Sequence, residues 1–299
     1  MTDPILRVDA VQKAYGSHKA IDGVSITVTA GERVALLGHN GAGKTTLMKM
    51  ILGLTQPTAG RIEVLGHAPG SSVARRKVAW LPEHVVFNRS LTAAELMATF
   101  ARLKGAPVRS NLDLLARVGL KDAVHKRVGT FSKGMRQRLG LAQALIGEPE
   151  LLLLDEPTTG LDPVSRQSFY DIVEELAGRG VAVLLSSHVL TELEARTDRV
   201  IIMRAGKLVA SDRLAELRGQ VGLPVRIRLA VRPEAASSVA EQLGGERVNG
   251  HRVELLCRPE EKMALLSRIT GFGRMVEDVE ISPPTLEEIY RRLGGERPQ

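Results

Sequence analysis

Arg33-Val34-Ala35-Leu36-Leu37-Gly38-His39-Asn40-Gly41-Ala42-Gly43-Lys44-Thr45-Thr46 is the stretch on which the fold turns. A short, mostly apolar run enters a glycine-rich loop that fits G-x-x-x-x-G-K-[ST]. Residues 45–52 continue with helical spacing until Gly53 stops them. In that strand–loop–helix context glycine backbone N–H groups turn inward around a phosphate chain. The positive end of the helix then faces the same anion. The pattern alone turns up by chance in about one chain of this length per hundred, so the flanking strand and helix carry the inference. Lys44 is expected to reach the β- and γ-phosphates and the Thr45 hydroxyl to ligate Mg2+. Gly38, His39, Asn40, Gly41, Ala42, Gly43 and Thr46 complete the cradle.

Working outward, residues 151–154 are leucine throughout, as a strand covered on both faces requires, and they end in Asp155-Glu156. Ligands of an open parallel sheet bind at the carboxyl ends of its strands, which puts both carboxylates at the phosphate-loop edge. Asp155 suits a Mg2+ ligand, acting through water, and Glu156 a base that polarises the attacking water. Residues 181–186 read as another buried strand, and His188 follows it. Alone, His188 reads as an ordinary strand-end histidine. Its place after the loop and the carboxylate pair makes it a candidate to hydrogen-bond the γ-phosphate. Over the first two thirds, short apolar strands alternate with amphipathic helices, which predicts an α/β sheet with parallel strands. Residues from about 84 to 145 read as mainly helical.

The texture changes near residues 219–224. Val225, Ile227, Leu229 and Val231 alternate with polar residues, Asn249-Gly250 signals a hairpin, and residues 259–269 have helical spacing. Residues 275–281 read as another strand. Thr285-Leu286-Glu287-Glu288 is a capping box opening a last helix. The prediction is a small α+β domain over residues 222–299, behind a larger domain over residues 1–219.

Composition narrows the function classes. No apolar run approaches the roughly 18 residues needed to span a bilayer, and the segment around Asp3 and Pro4 has no signal-peptide profile. The expected location is the cytoplasm, and service to a membrane process would be as a peripheral subunit. The single cysteine, Cys257, alternates with Val253 and Leu255 and reads as a buried strand residue. One cysteine excludes a disulfide framework and a cysteine metal cluster within one chain. The formal charge of +7 comes from dispersed basic residues with only 3% aromatics, which fits nucleotide binding near an anionic membrane and not nucleic-acid binding.

Before the Asp-Glu strand stands Phe131-Ser132-Lys133-Gly134-Met135, followed by Arg136-Gln137-Arg138-Leu139. Ser132 is suited to cap a helix, so a second positive helix end would face an anion, and one nucleotide does not need two from one chain. This segment resembles the L-S-G-G-Q signature of ABC transporter ATPases. Tyr15 matches the family's adenine-stacking aromatic, though on its own it reads as a core tyrosine. Thr159-Gly160-Leu161-Asp162-Pro163 resembles the family's D-loop, and the likeness extends over residues from about 5 to 215.

The resemblance implies a P-loop ABC ATPase domain, a RecA-like parallel sheet plus helical subdomain, followed by the small domain. It implies ATP and Mg2+ as cofactors and a homodimer in which Ser132, Lys133, Gly134 and Met135 of one copy close over the ATP of the other. Gly160, Leu161 and Asp162 would then cross the dimer interface. It further implies integral membrane permease subunits on separate chains. One departure is Glu83 in Leu81-Pro82-Glu83, where the family usually has Gln and where Mg2+ or the attacking water is contacted. Glu83 and the segment Gly222-Leu223-Pro224-Val225-Arg226-Ile227-Arg228 resemble the NosF subfamily, whose transporters help mature the copper sites of nitrous oxide reductase. That likeness implies copper or sulfur delivery, with a NosY-like permease and a NosD-like periplasmic subunit. The alternative is an ATPase of the same architecture that drives export of a drug, lipid or polysaccharide. A soluble ABC ATPase acting on DNA or the ribosome is more remote, because such proteins carry tandem cassettes, a long coiled coil or zinc sites.

Overall fold

A strand with apolar residues at every position needs cover on both faces, and the larger part of the chain is arranged to give it. The computed structural model describes residues 3–187 and 189–294. Contacts divide the chain into one unit that ends at Ser211 and a second that starts at Asp212. The helix over residues 214–221 is thus grouped with the second unit rather than with the first.

The first unit runs β1 (Leu6–Tyr15), β2 (His18–Val28), β3 (Arg33–Leu37), α1 (Lys44–Ile51), β4 (Ala59–Val64), α2 (Ser72–Lys77), β5 (Val78–Leu81), α3 (Ala93–Lys104), α4 (Asn111–Arg117), α5 (Lys133–Ala144), β6 (Leu151–Asp155), α6 (Pro163–Gly178), β7 (Ala182–Ser186), α7 (Leu190–Glu194), β8 (Arg199–Arg204) and β9 (Lys207–Asp212). Six strands form one sheet in the order β5-β6-β7-β3-β8-β9. The pairs β5/β6, β6/β7, β7/β3 and β3/β8 are parallel. Every residue of β6 and β7 is buried. This is the α/β P-loop ATPase architecture that the sequence predicts.

A second sheet was not foreseen. Strands β2, β1 and β4 pair antiparallel in that order. Leu6 and Val8, and Val24, Ile26 and Val28, carry a period-two signal for a sheet with one buried face, and Val11 rejoins that face one residue out of phase. Those side chains join one core with Leu47, Met48, Met50, Leu151, Leu153, Leu184 and Ile201. Met48 and Met50 are thus packing residues. Trp80, on the edge strand β5, is half-buried against the same core.

The expectation that residues 84–145 are mainly helical is met by α3, α4, α5 and three short 3-10 turns, while residues 84–92 are irregular apart from a turn at residues 89–90. Helix α3 starts on a capping box in which Thr92 and Glu95 satisfy each other's backbone N–H groups, and it stops at Gly105 in the left-handed conformation. Helices α3, α4 and α5 contact one another.

The second unit runs α8 (Leu214–Val221), β10 (Val225–Val231), α9 (Ala236–Leu243), β11 (Glu246–Asn249), β12 (Arg252–Cys257), α10 (Lys262–Thr270), β13 (Val276–Ser282) and α11 (Leu286–Gly294). Its sheet order is β11-β12-β10-β13, a split β-α-β-β-α-β arrangement. Cys257 is buried in its core with Ile227, Leu229, Val239 and Ile269. The α11 capping box forms, with the Glu288 N–H donating to Thr285 Oγ1 at 3.2 Å.

Leu153 has no exposed surface at the centre of β6. Leu153→Ala should destabilise the first unit by about 2–5 kcal/mol, the range for a buried leucine whose cavity cannot collapse. The check is a lower urea midpoint for its unfolding.

Candidate functional site

Backbone sterics shape the phosphate loop. It leaves β3 at Gly38 and enters α1 at Gly43, which caps that helix with φ 103°. A Cβ on Gly43 would lie 2.6 Å from the Ala20 carbonyl oxygen, and one on Gly38 would lie 2.7 Å from the Met203 carbonyl oxygen. Only glycine allows this approach to β2 and β8. The loop is tied down further, because the Gly206 N–H donates to the Ala42 carbonyl at 3.1 Å. Lys44 curls back over the loop, donating to the carbonyl oxygens of Gly38 and of His39, the latter at 3.3 Å. Burial pushes the Lys44 ammonium below its ordinary range, against the opposing pull of the Glu156 and Asp155 carboxylates.

Strand β6 delivers the carboxylates. Asp155 is buried at its end, accepting from Ser186 Oγ at 2.7 Å on one oxygen and from Thr45 Oγ1 at 3.4 Å on the other. Glu156 follows with φ 48°, left-handed for a residue that has a Cβ. Such a conformation costs on the order of 1–3 kcal/mol and persists only where neighbours enforce it. Here the Glu156 N–H donates to the Ser186 carbonyl at 3.2 Å and to Ser186 Oγ at 3.1 Å.

These groups converge on a cavity of about 360 Å3. Tyr15, His39, Asn40, Gly41, Ala42, Gly43, Lys44, Thr45, Thr46, Glu83, Asp155 and Glu156 all line it. Tyr15 is 52% exposed at the end of β1, with the Lys13 ammonium 5.0 Å from its ring centroid, so it is not a core tyrosine. Sequence reasoning missed His18, which pairs with Tyr15 across the tight β1–β2 turn and lines the same wall. It also missed Ser186, whose only signal was a hydroxyl ending an apolar strand. Glu83 lies 3.7 Å from His84 Nε2. His188 lies outside the described residues.

Ser132, Lys133, Gly134 and Met135 do not line this cavity. Ser132 caps α5, its Oγ accepting from the Met135 N–H at 3.1 Å, and Ser132 and Lys133 are exposed. The 160–162 turn packs beside them. A Cβ on Gly160 would meet the Lys133 ammonium at 2.5 Å, and one on Gly134 would lie 3.5 Å from the Leu161 side chain. Asp162 caps α6, accepting from Ser165 N–H at 2.9 Å and Ser165 Oγ at 2.6 Å. Those hydrogen bonds hold its carboxyl below the usual range.

The cavity thus offers a glycine-rich loop at a helix start, an ammonium, hard oxygen donors and a carboxylate on a left-handed backbone, a set suited to a nucleoside triphosphate with a divalent cation. Residues 21–159 match the family model described as ABC transporter. The chain is 37% identical to the daunorubicin resistance ATP-binding protein DrrA3 of Streptomyces coeruleorubidus, over 99% of this chain and 98% of that protein. It is 33% identical to the Nod factor export ATP-binding protein I of Rhizobium sp. (strain N33), over 99% of this chain and 98% of that protein. A solved ATP-binding subunit of an ABC transporter superposes with TM-score 0.67 at 32% identity, covering 73% of this chain and 93% of that one. None of these relatives is named for copper-site maturation.

Gly43→Ala should weaken binding of a fluorescent ATP analogue by at least about tenfold, because both φ and the Ala20 contact forbid a Cβ. Unfolding of the second unit, followed by circular dichroism, should be unchanged.

Proposed function

The chain belongs to the ABC transporter family as an ATP-binding, ATP-hydrolysing subunit that works with membrane permease partners, and from that premise we propose that it powers an exporter. The observation that carries this reading is the end-to-end match to relatives named for drug resistance and Nod factor export, which spans the second unit as well as the first. The proposed cargo is accordingly a drug or a lipid- or saccharide-type product. The copper-maturation reading has one specific observation in its favour, the carboxylate of Glu83 in the cavity wall where the family usually has an amide. With it would come a NosY-like permease and a NosD-like subunit. We place it second.

In the proposed cycle two copies pair head to tail. The phosphate loop of one holds ATP, Tyr15 stacks on the adenine, and Ser132, Lys133, Gly134 and Met135 of the other copy close over the triphosphate. What supports this is that the capped start of α5 is exposed and lies apart from its own chain's cavity. Gly160, Leu161 and Asp162, packed beside it, would cross the same interface.

Thr45 and Asp155 present hard oxygens to one point, a donor set that fits Mg2+, with Glu83 as a further oxygen donor. Bound there, the ion would neutralise charge building on the phosphates. Glu156 takes a proton from the attacking water, and Lys44 and His188 stabilise the charge on the γ-phosphate. The permease docks at the cytoplasmic face of the inner membrane, on the region near residues 84–105. Val86 is 89% exposed and Leu103 78% exposed there. Phe87 is buried and meets Phe100 edge-on. Among the described residues no helix is long and apolar enough to cross a membrane.

Glu156→Gln should lower kcat by about 100-fold or more, the range for loss of a general base. It should also accumulate an ATP-bound dimer on size exclusion, and turnover at the wild-type rate would remove Glu156 as the base. Lys44→Ala should weaken ATP binding, checked by equilibrium titration. In the source organism, the Glu156→Gln allele should abolish efflux of the cargo, measured as intracellular accumulation of candidate products. Intact efflux together with copper-deficient nitrous oxide reductase would instead select the copper reading.

A further inference from the structure

Ser186 closes a strand whose other four residues, Ala182 to Leu185, are apolar and fully buried, and it is itself 0% exposed. A hydroxyl in such a place must be hydrogen-bonded or it destabilises the fold. Both capacities of this one are used on the two residues already assigned to the reaction. It donates to Asp155 Oδ1 at 2.7 Å and accepts from the Glu156 N–H at 3.1 Å. The parallel register brings the two residues within reach, because Asp155 and Ser186 are direct partners across β6 and β7.

We propose that Ser186 is a positioning residue for ATP hydrolysis, one hydroxyl that sets the carboxylate of Asp155 and the backbone of Glu156 together. Its donated hydrogen bond fixes Asp155 Oδ1, so the rotation of the carboxylate is set with Oδ2 toward Thr45 Oγ1, 3.4 Å away. Its accepted hydrogen bond, with the Ser186 carbonyl as second acceptor, holds Glu156 at φ 48°. That backbone angle determines where the Glu156 side chain leaves the strand end, and hence the line along which it meets the attacking water. The proposal deepens the reading of Glu156 as the base and rests on it.

The test compares Ser186→Ala, Ser186→Thr and Glu156→Gln in the full chain. Ser186→Ala should lower kcat by about 5- to 30-fold with the KM for ATP within about twofold, as expected when a group acts in the transition state rather than in binding. The lower figure corresponds to about 1 kcal/mol and the upper to about 2 kcal/mol at 1.36 kcal/mol per tenfold. Mn2+ bound beside a non-hydrolysable ATP analogue, read by electron paramagnetic resonance, should be held several-fold more weakly, since Asp155 has lost its orienting donor. Ser186→Thr keeps the hydroxyl and should recover most of kcat and of Mn2+ affinity.

Three results would overturn the proposal. Ser186→Ala could keep wild-type kcat while only its Tm falls, which makes the serine structural. It could lose kcat and Mn2+ affinity equally with Ser186→Thr, which makes the site one of packing. It could raise KM alone, which makes the effect one of ATP binding. If Glu156→Gln itself turns over normally, the reading beneath the proposal fails, and that result is distinct from normal Ser186→Ala turnover beside an inactive Glu156→Gln.

Discussion

A parallel strand buried on both faces can carry polar groups only where it ends. The arrangement of this molecule follows from that constraint. Strands β6 and β7 run apolar for four residues each and then place Asp155 and Ser186 side by side, still buried, at one edge of the sheet. Strand β3 lies on the other side of β7, and its own end opens into the phosphate loop. Three adjacent strand ends thus bring together the anion cradle, the carboxylates and the hydroxyl that ties them. No long side chain has to reach far, because the hydrogen-bond ladder has already set the spacing.

Much of this edge was legible because its signals are backbone signals. Gly38 and Gly43 stand where a Cβ would strike main-chain atoms. A glycine required by sterics is visible in one sequence without reference to any other. The carboxylates were legible for a related reason, as the first polar residues after an uninterrupted leucine run. The antiparallel sheet was harder, since β1 departs from regular pairing near Ala10, where φ is 43°. A bulge there breaks the alternation on which a strand reading depends. Ser186 was hidden differently. Its role lies in a register between strands about 30 residues apart, and nothing local marks that pairing.

The separation of the α5 start from the cavity is as informative as the convergence of the other groups. Ser132 caps its helix and Lys133 lies over the tight turn at Gly160, so the two segments brace each other within one chain. A rigid pair of loops presented outward suits recognition of a surface that the same chain does not supply. The second unit is a distinct object, with its own core and a sheet carrying two helices in the split β-α-β-β-α-β order. Its alignment with relatives along nearly their whole length makes it a shared part of this architecture and not an appendage of this chain alone.

Trp80 is the one tryptophan in the sequence, half-buried on the edge strand that leads to Glu83. All indole emission from this protein therefore originates three residues from the cavity wall. Spectroscopically the molecule is born labelled. A change in the packing of β5 would alter the emission of that single fluorophore, so this edge of the sheet can be followed optically without any dye being attached.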